Sequence, residues 1–267
     1  MPPVALTIAG SDSGAGAGIQ ADLKTFAAHG AYGVCAITAI TAQNTQGVLD
    51  VEVLSTRIVR AQIEAVAKDF DVRAAKTGML AVATVVRAVA EAVRDLRIPN
   101  LVVDPVMLAK SGDALLDAEA LDALRRHLLP LAMVVTPNLP EAEALADMAI
   151  RDEATASEAA RRIAGLGPRA VIVKGGHAEG AEIVDLLYDG TSVQRFPQTR
   201  VPGTSTHGTG CTFAAALAAH LAHGRTLVDA VPLTQRYVAG AIRHAPGLGG
   251  GHGPMDHFWR ADDGAPR

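Results

Sequence analysis

Aromatic residues make up only 3% of this chain and cysteine occurs twice, so neither a large aromatic platform nor a disulfide framework is available to it. It also lacks any block of basic residues, and its formal net charge is −4, which excludes the electrostatic footprint expected of a nucleic-acid or anionic-membrane binder. The beginning "MPPVALTIAGSDSG" has no positive, long-apolar leader pattern. The most apolar helical run, "CTFAAALAAHLA", is too short to cross a bilayer and carries His220. These absences lead us to expect a cytoplasmic protein with small-molecule partners, no nucleic acid and no membrane.

What the chain does have is 49% apolar residues over 267 positions, ample for a sizeable core built from Ala, Val, Leu and Ile. Strand-like runs alternate with amphipathic helical ones. "VALTIAG" precedes "IQADLKTFAAHG", "GVCAITAI" follows, and "STRIVRAQIEAVAKDF" leads to "VRAAKTGM". "ATVVRAVAEAVRDL" leads to "LVVDPVM", "DALRRHLLP" to "AMVVTPN", and "ASEAARRIAGL" to "AVIVKGG". A hairpin over "EIVDLLYDGTSVQRFP" precedes the last glycine turn and its helix. This rhythm predicts an α/β fold, a mostly parallel sheet with helices on both faces. With no linker and no repeat, residues 1–267 are expected to form one domain.

Polar and glycine residues gather after the predicted strands, where open α/β sheets place their ligand crevice. "GSDSGAGAGIQAD" fits neither a P-loop nor the dinucleotide fingerprint. It reads either as a flexible turn or as backbone closing over a small ligand, with Asp12 and Asp22 as acceptors. Gln43 and Asn44 in "TAQNTQGV" are suited to turn hydrogen bonds, while Gln43 also carries the donor–acceptor pair that an aminopyrimidine edge requires. In "TPNLPEAEAL", Asn138 and Glu141 have capping-box spacing and equally the donor types to organise a magnesium hydration shell. Lys174 in "AVIVKGGH" is either a solvated loop lysine or a point charge for phosphate oxygens.

"HGTGCT" is the most informative cluster. Gly208 and Gly210 let the backbone turn so that free N–H groups at a helix start make an anion hole. The same field is expected to lower the thiol of Cys211 from about 8.5 toward neutrality. A Cys211–His207 nucleophilic pair is the competing reading, although no other part of the chain offers an acyl-transfer site.

Taken together, "ALTIAGSDSGAGAGIQADLKTFAAHGAYG", "AITAITAQNTQGV", "KTGML", "VVDPVMLAKSGD", "TPNLPEAEAL", "VIVKGGH", "THGTGCTFAAALAA" and "GHGPMDHF" resemble the hydroxymethylpyrimidine/phosphomethylpyrimidine kinases of thiamine biosynthesis, within the ribokinase-like superfamily. The resemblance runs over nearly the whole chain in order. It implies a three-layer α/β/α fold and an ATP- and Mg2+-dependent kinase that phosphorylates 4-amino-5-hydroxymethyl-2-methylpyrimidine and then its monophosphate. It makes Cys211 the general base and Gly208, Thr209 and Gly210 the anion hole. Asp104, Asn138 and Glu141 fall on magnesium and phosphate positions, and Lys174 with Asp104 on nucleotide-phosphate positions. Gln43 becomes the pyrimidine reader, with Gly10, Ala17, Asp22, Met79 and Val106 lining or capping its pocket. Relatives suggest a homodimer. Two departures from the pattern are visible, Ala15 in place of a frequent glycine and Ser205 in place of a frequent asparagine. The rival functions are a pyridoxine or pyridoxal kinase, a non-catalytic pyrimidine-binding domain, and a cysteine-nucleophile enzyme.

Overall fold

A computed structural model describes residues 1–107, 117–177, 180–203 and 205–260. Residues 108–113 of the "VVDPVMLAKSGD" motif therefore lie outside the described residues. Nine strands form one sheet: β1 (Val4–Asp12), β2 (Tyr32–Gln43), β3 (Val48–Val53), β4 (Val72–Thr77), β5 (Leu101–Val103), β6 (Val134–Val135), β7 (Val171–Val173), β8 (Glu182–Tyr188) and β9 (Val193–Thr199). Their order is β3-β2-β1-β4-β5-β6-β7-β8-β9. The six strands from β2 to β7 pair in parallel, while β3 closes one edge and the β8–β9 hairpin the other in antiparallel sense.

Eight α-helices accompany the sheet among the described residues: α1 (Gly18–Ala28), α2 (Thr56–Asp69), α3 (Ala83–Asp95), α4 (Ala118–Ala123), α5 (Leu139–Ala146), α6 (Glu153–Ala164), α7 (Thr209–Ala222) and α8 (Leu227–Arg243). Side chains that alternate along the strands feed two separate cores. Leu101 and Val103 of β5 point into one core with Val59 of α2, Val86 of α3, Leu145 of α5 and Ile163 of α6. Val102, between them, points into the other with Phe26 of α1, Leu217 of α7 and Tyr237 of α8. The architecture is thus the expected three-layer α/β/α.

The α7 helix is apolar on every side, and all its residues from Thr212 to Ala222 are buried. Its run of alanines lets it lie close to the sheet beneath β4 and β5 and still pack against α1 and α8. The chain leaves β1 toward β2 on one side and returns to β4 on the other, so a topological switch point falls between β1 and β4. This arrangement brings the carboxyl ends of β1, β2, β4, β5, β6 and β7 to the edge where α7 begins.

Candidate active site

The glycine-rich turn after β1 is organised by its own aspartate. The Asp12 carboxylate accepts from the backbone N–H groups of Gly14, Gly16 and Ala17 at 2.8, 3.0 and 2.8 Å and from His207 Nε2 at 2.8 Å. Burial works against its charge, but His207 and these N–H groups outweigh it and hold the carboxyl below its ordinary value. Asp12 is therefore spent on the loop, which corrects the expectation that it faces a ligand. Ala15 adopts φ 58°, a left-handed conformation that explains why glycine suits this position.

The turn before α7 packs directly on this loop. Gly208 has φ 79°, and a Cβ placed on it would collide with the carbonyl oxygen of Gly16. No side chain caps α7. Thr209 N–H bonds Thr206 and Thr212 N–H bonds Gly208, so the N–H groups of Gly210 and Cys211 have no acceptor among the described residues. They are the free donors an anion needs. Thr209 contributes its backbone position, since its hydroxyl donates to Thr206 O at 2.7 Å.

Lys174 and Asp104 reach the same place from β7 and β5. Their Nζ–Oδ1 separation is 3.2 Å. A Cβ on Gly210 would stand 3.5 Å from Lys174 Nζ and 3.7 Å from Asp104 Oδ2, so the helix start and the ion pair share one spot. Burial opposes the charge on Lys174, yet Asp104 and Glu141 prevail and hold it above its usual range.

Asn138 and Glu141 form the capping box of α5: Glu141 N–H donates to Asn138 Oδ1 at 2.9 Å, and Asn138 N–H donates to Glu141 Oε2 at 2.8 Å. The same Glu141 is pushed up to about 7 by burial, with Lys174 opposing the shift and Asp104 adding to it. Two carboxyls under mutual repulsion, Glu141 and Asp104, suit a divalent cation. Among the described residues, no three His, Cys, Asp or Glu side chains gather closely enough to chelate one unaided. These residues therefore fit an ion that keeps water and phosphate ligands.

Cys211 departs from expectation. It is half-buried, and burial pushes its thiol up to about 11, with Asp22 and Asp104 adding to the rise and Lys76 opposing it. The N–H of Gly18, at the start of α1, also favours the thiolate. The lowering fields are present, but desolvation outweighs them. No Cys211–His207 hydrogen bond is found among the described residues, and His207 Nε2 is engaged by Asp12.

Asp22 is fully buried on α1. Its oxygens receive Lys76 Nζ at 2.9 and 2.8 Å and the Thr7 hydroxyl at 2.6 Å, all fully buried. Lys76 was not legible as a site residue. The available signal was a lysine within a strand of a chain that holds its positive charge mostly as arginine. Asp185 was missed too: it is buried on β8 and accepts from Gly175 N–H and from Gln235 Nε2, each at 2.8 Å, which fixes the backbone beside Lys174.

Gly10, Met79, Gln43 and Val106 lie at or just beyond the carboxyl ends of β1, β4, β2 and β5, and Ala17 lies at the start of α1. A Cβ on Gly10 would stand 3.2 Å from Met79 Sδ, and Met79 is fixed by the Thr38 hydroxyl, which donates to its carbonyl at 2.7 Å. Half-buried Gln43 ends β2, Ala17 caps α1 through its backbone, and Val106 follows Asp104 at the end of β5. Asn44 is only a turn former, its Oδ1 accepting from Gln46 and Gly47 N–H.

A helix start with free N–H groups against a Lys–Asp pair, at the carboxyl edge of a mostly parallel sheet, is suited to receive an anion. The family model described as phosphomethylpyrimidine kinase matches residues 12–256. A hydroxymethylpyrimidine/phosphomethylpyrimidine kinase of Rhizobium meliloti is 52% identical, covering 97% of this chain and 98% of its own. A thiamine biosynthesis bifunctional protein of Geobacter sulfurreducens is 49% identical over 97% of this chain, which spans only 53% of that longer protein. Among solved structures, an ADP complex of Bacillus subtilis pyridoxal kinase superposes with a TM-score of 0.91 at 37% identity, over 98% of this chain and 100% of its own. The chain belongs to the phosphomethylpyrimidine kinase family.

Proposed function

We propose that residues 1–267 work as one kinase domain that moves the terminal phosphoryl group of ATP to the hydroxymethyl oxygen of 4-amino-5-hydroxymethyl-2-methylpyrimidine, and then phosphorylates the monophosphate to the diphosphate. The observation that carries this reading is the approach of Lys174 and Asp104 to the free start of α7, where a Cβ on Gly210 would meet both. There, a lysine charge and two unsatisfied N–H groups meet a transferring phosphoryl group.

Phosphoryl transfer has a loose transition state, so positioning and neutralisation carry most of the catalysis. The alcohol oxygen forms the new bond to phosphorus as the bond to the ADP oxygen breaks, and the alcohol proton leaves for Cys211. Cys211 accepts it only when ionised. Lys76 and the Gly18 N–H favour that form, whereas burial, Asp22 and Asp104 resist it. Asp104 would hold Mg2+, with Asn138 and Glu141 organising its water. When bound, the ion supplies positive charge to the phosphates. Gln43 reads the pyrimidine edge, and Gly10, Ala17, Met79 and Val106 shape the pocket around the ring.

Pyridoxal kinase is the second reading, favoured by the close superposition on the Bacillus subtilis enzyme. Higher identity to a pyrimidine kinase, 52% against 37%, decides for the pyrimidine. ADP release measured with the pyrimidine alcohol, its monophosphate and pyridoxal as separate acceptors tests the assignment. No ADP release with any acceptor would support a non-catalytic binding domain, and a mass increase on Cys211 would support a covalent enzyme. We place the protein in the cytoplasm as a homodimer, a state that light scattering checks.

A further inference from the structure

His207 is buried at 7% exposure and takes no part in the mechanism above. Its Nε2 lies 2.8 Å from Asp12 Oδ2 and 3.4 Å from Gln43 Nε2. Asp12 also collects three backbone N–H groups and is held ionised, so it can only accept. His207 Nε2 must therefore carry the proton and donate it. An NH2 group of Gln43 facing that N–H sets two donors against each other. The other end of the amide is mismatched in the same way. Thr41 Oγ1 has one proton, which it gives to Ser11 O at 2.9 Å, yet it also faces Gln43 Oε1 at 3.0 Å. Turning the amide over resolves both conflicts. The NH2 then donates to Thr41 Oγ1, and the oxygen accepts from His207.

We propose that His207 is a specificity-determining residue: by donating from Nε2 it fixes which end of the Gln43 amide is oxygen and which is NH2, and so what the amide offers a ligand ring. The inference rests on the reading of Gln43 as the pyrimidine contact. The histidine is well placed to impose this order. A Cβ on Gly16 would collide with its ring, and its backbone N–H donates to Gly253 O at 3.2 Å, so the ring is clamped between the first loop and the segment after α8. Once the amide is locked, one NH2 hydrogen and one oxygen lone pair remain, in fixed order. An amine beside a ring nitrogen satisfies both. A flat ring without that pair leaves one of them unpaired, a loss that sites of this kind turn into discrimination.

A double-mutant cycle over His207→Leu and Gln43→Ala tests the proposal, with KM measured for the pyrimidine and for ATP, pyridoxal turnover as the specificity readout, and thermal melts as the folding control. His207→Leu is expected to raise the pyrimidine KM about tenfold, to leave the ATP KM within about twofold, and to lower the preference for pyrimidine over pyridoxal. In the Gln43→Ala background the same substitution should change the pyrimidine KM less than about twofold, because the group it orients is gone. An undiminished effect in that background, or equal losses for ATP and pyrimidine, would show a merely structural histidine and overturn the proposal. An unchanged pyrimidine KM in Gln43→Ala alone would overturn the reading of Gln43 itself, and the single variant reveals that separately. If His207→Leu does not fold, His207→Gln takes its place in the cycle: its amide keeps an N–H for Asp12 but moves it off the ring position.

Discussion

Lys76 and Asp22 form an ion pair with no exposed surface, the ammonium reaching both carboxylate oxygens at 2.9 and 2.8 Å, and both charges act on the thiol of Cys211. Burial opposes the lysine's charge, but Asp22, Cys211 and Asp104 together hold its pKa well above the ordinary value. Within the pair, the Lys76 charge favours a thiolate at Cys211 and the Asp22 carboxylate partly offsets it.

Breaking that pair should separate stability from catalysis. Lys76→Met alone leaves an unpaired buried carboxylate and is expected to cost about 3–5 kcal/mol of stability. The double variant Lys76→Met/Asp22→Asn should recover most of the melting temperature, while kcat stays depressed about 10–100-fold because the charge beside Cys211 is still missing. Recovery of kcat together with the melting temperature would make the pair a purely structural one.

For Cys211 itself, Cys211→Ala should lower kcat about 10²–10⁴-fold with little change in either KM, the pattern of a group that acts chiefly in the transition state. The thiol begins far from ionisation, at about 11, so wild-type kcat should also climb as pH rises above neutrality. Steady-state kinetics from pH 6 to pH 9 checks both expectations, and an unchanged kcat in the alanine variant would return Cys211 to a packing role.

Asp185 ties the backbone beside Lys174 to α8. In Asp185→Asn an NH2 group would meet either the Gly175 N–H or Gln235 Nε2, and one buried hydrogen bond is lost at a cost of about 1–3 kcal/mol. Since the loop carries Lys174, the ATP KM should rise several-fold more than the pyrimidine KM. Parallel titrations of the two substrates make the comparison.

Acid stability follows from His257, which is 3% exposed and bonded through Nε2 to the Thr212 hydroxyl at 3.0 Å. Burial lowers it to about 4 from 6.5, and Lys24 adds to the shift. A depressed folded-state value means the unfolded chain binds the proton more readily. The stability it contributes is thus complete above about pH 6.5 and is lost as pH falls through about 4. His257 accounts for up to about 3 kcal/mol of that loss. Denaturant melts between pH 4 and pH 7 should show a shallower decline in His257→Gln, whose amide does not titrate there.

The parallel strands and most helices were legible because β-branched runs and amphipathic repeats carry their own periodicity. β3 was not read: at the sheet edge it keeps Leu49, Asp50 and Glu52 exposed, so no burial pattern marks it. α8 was not read either, with Pro232 inside it and polar residues such as Gln235 buried by tertiary contacts. The site showed the same division. Gly208, Lys174, Asp104, Asn138 and Glu141 lie at strand or helix ends where sequence marks a loop, whereas Lys76 and Asp185 act from strand interiors. The pKa of Cys211 was misjudged because a helix start is visible in sequence, while the crowding that desolvates the sulfur exists only after folding.

Phosphorylation of an aminopyrimidine alcohol is the reaction proposed for this cleft. Its most direct test is kcat/KM for 4-amino-5-hydroxymethyl-2-methylpyrimidine and for pyridoxal, measured side by side by ADP release with ATP and magnesium saturating. Clear preference for the pyrimidine is expected, with a second equivalent of ADP as the monophosphate becomes diphosphate. Equal or greater efficiency with pyridoxal, or no ADP release from the pyrimidine, would contradict it.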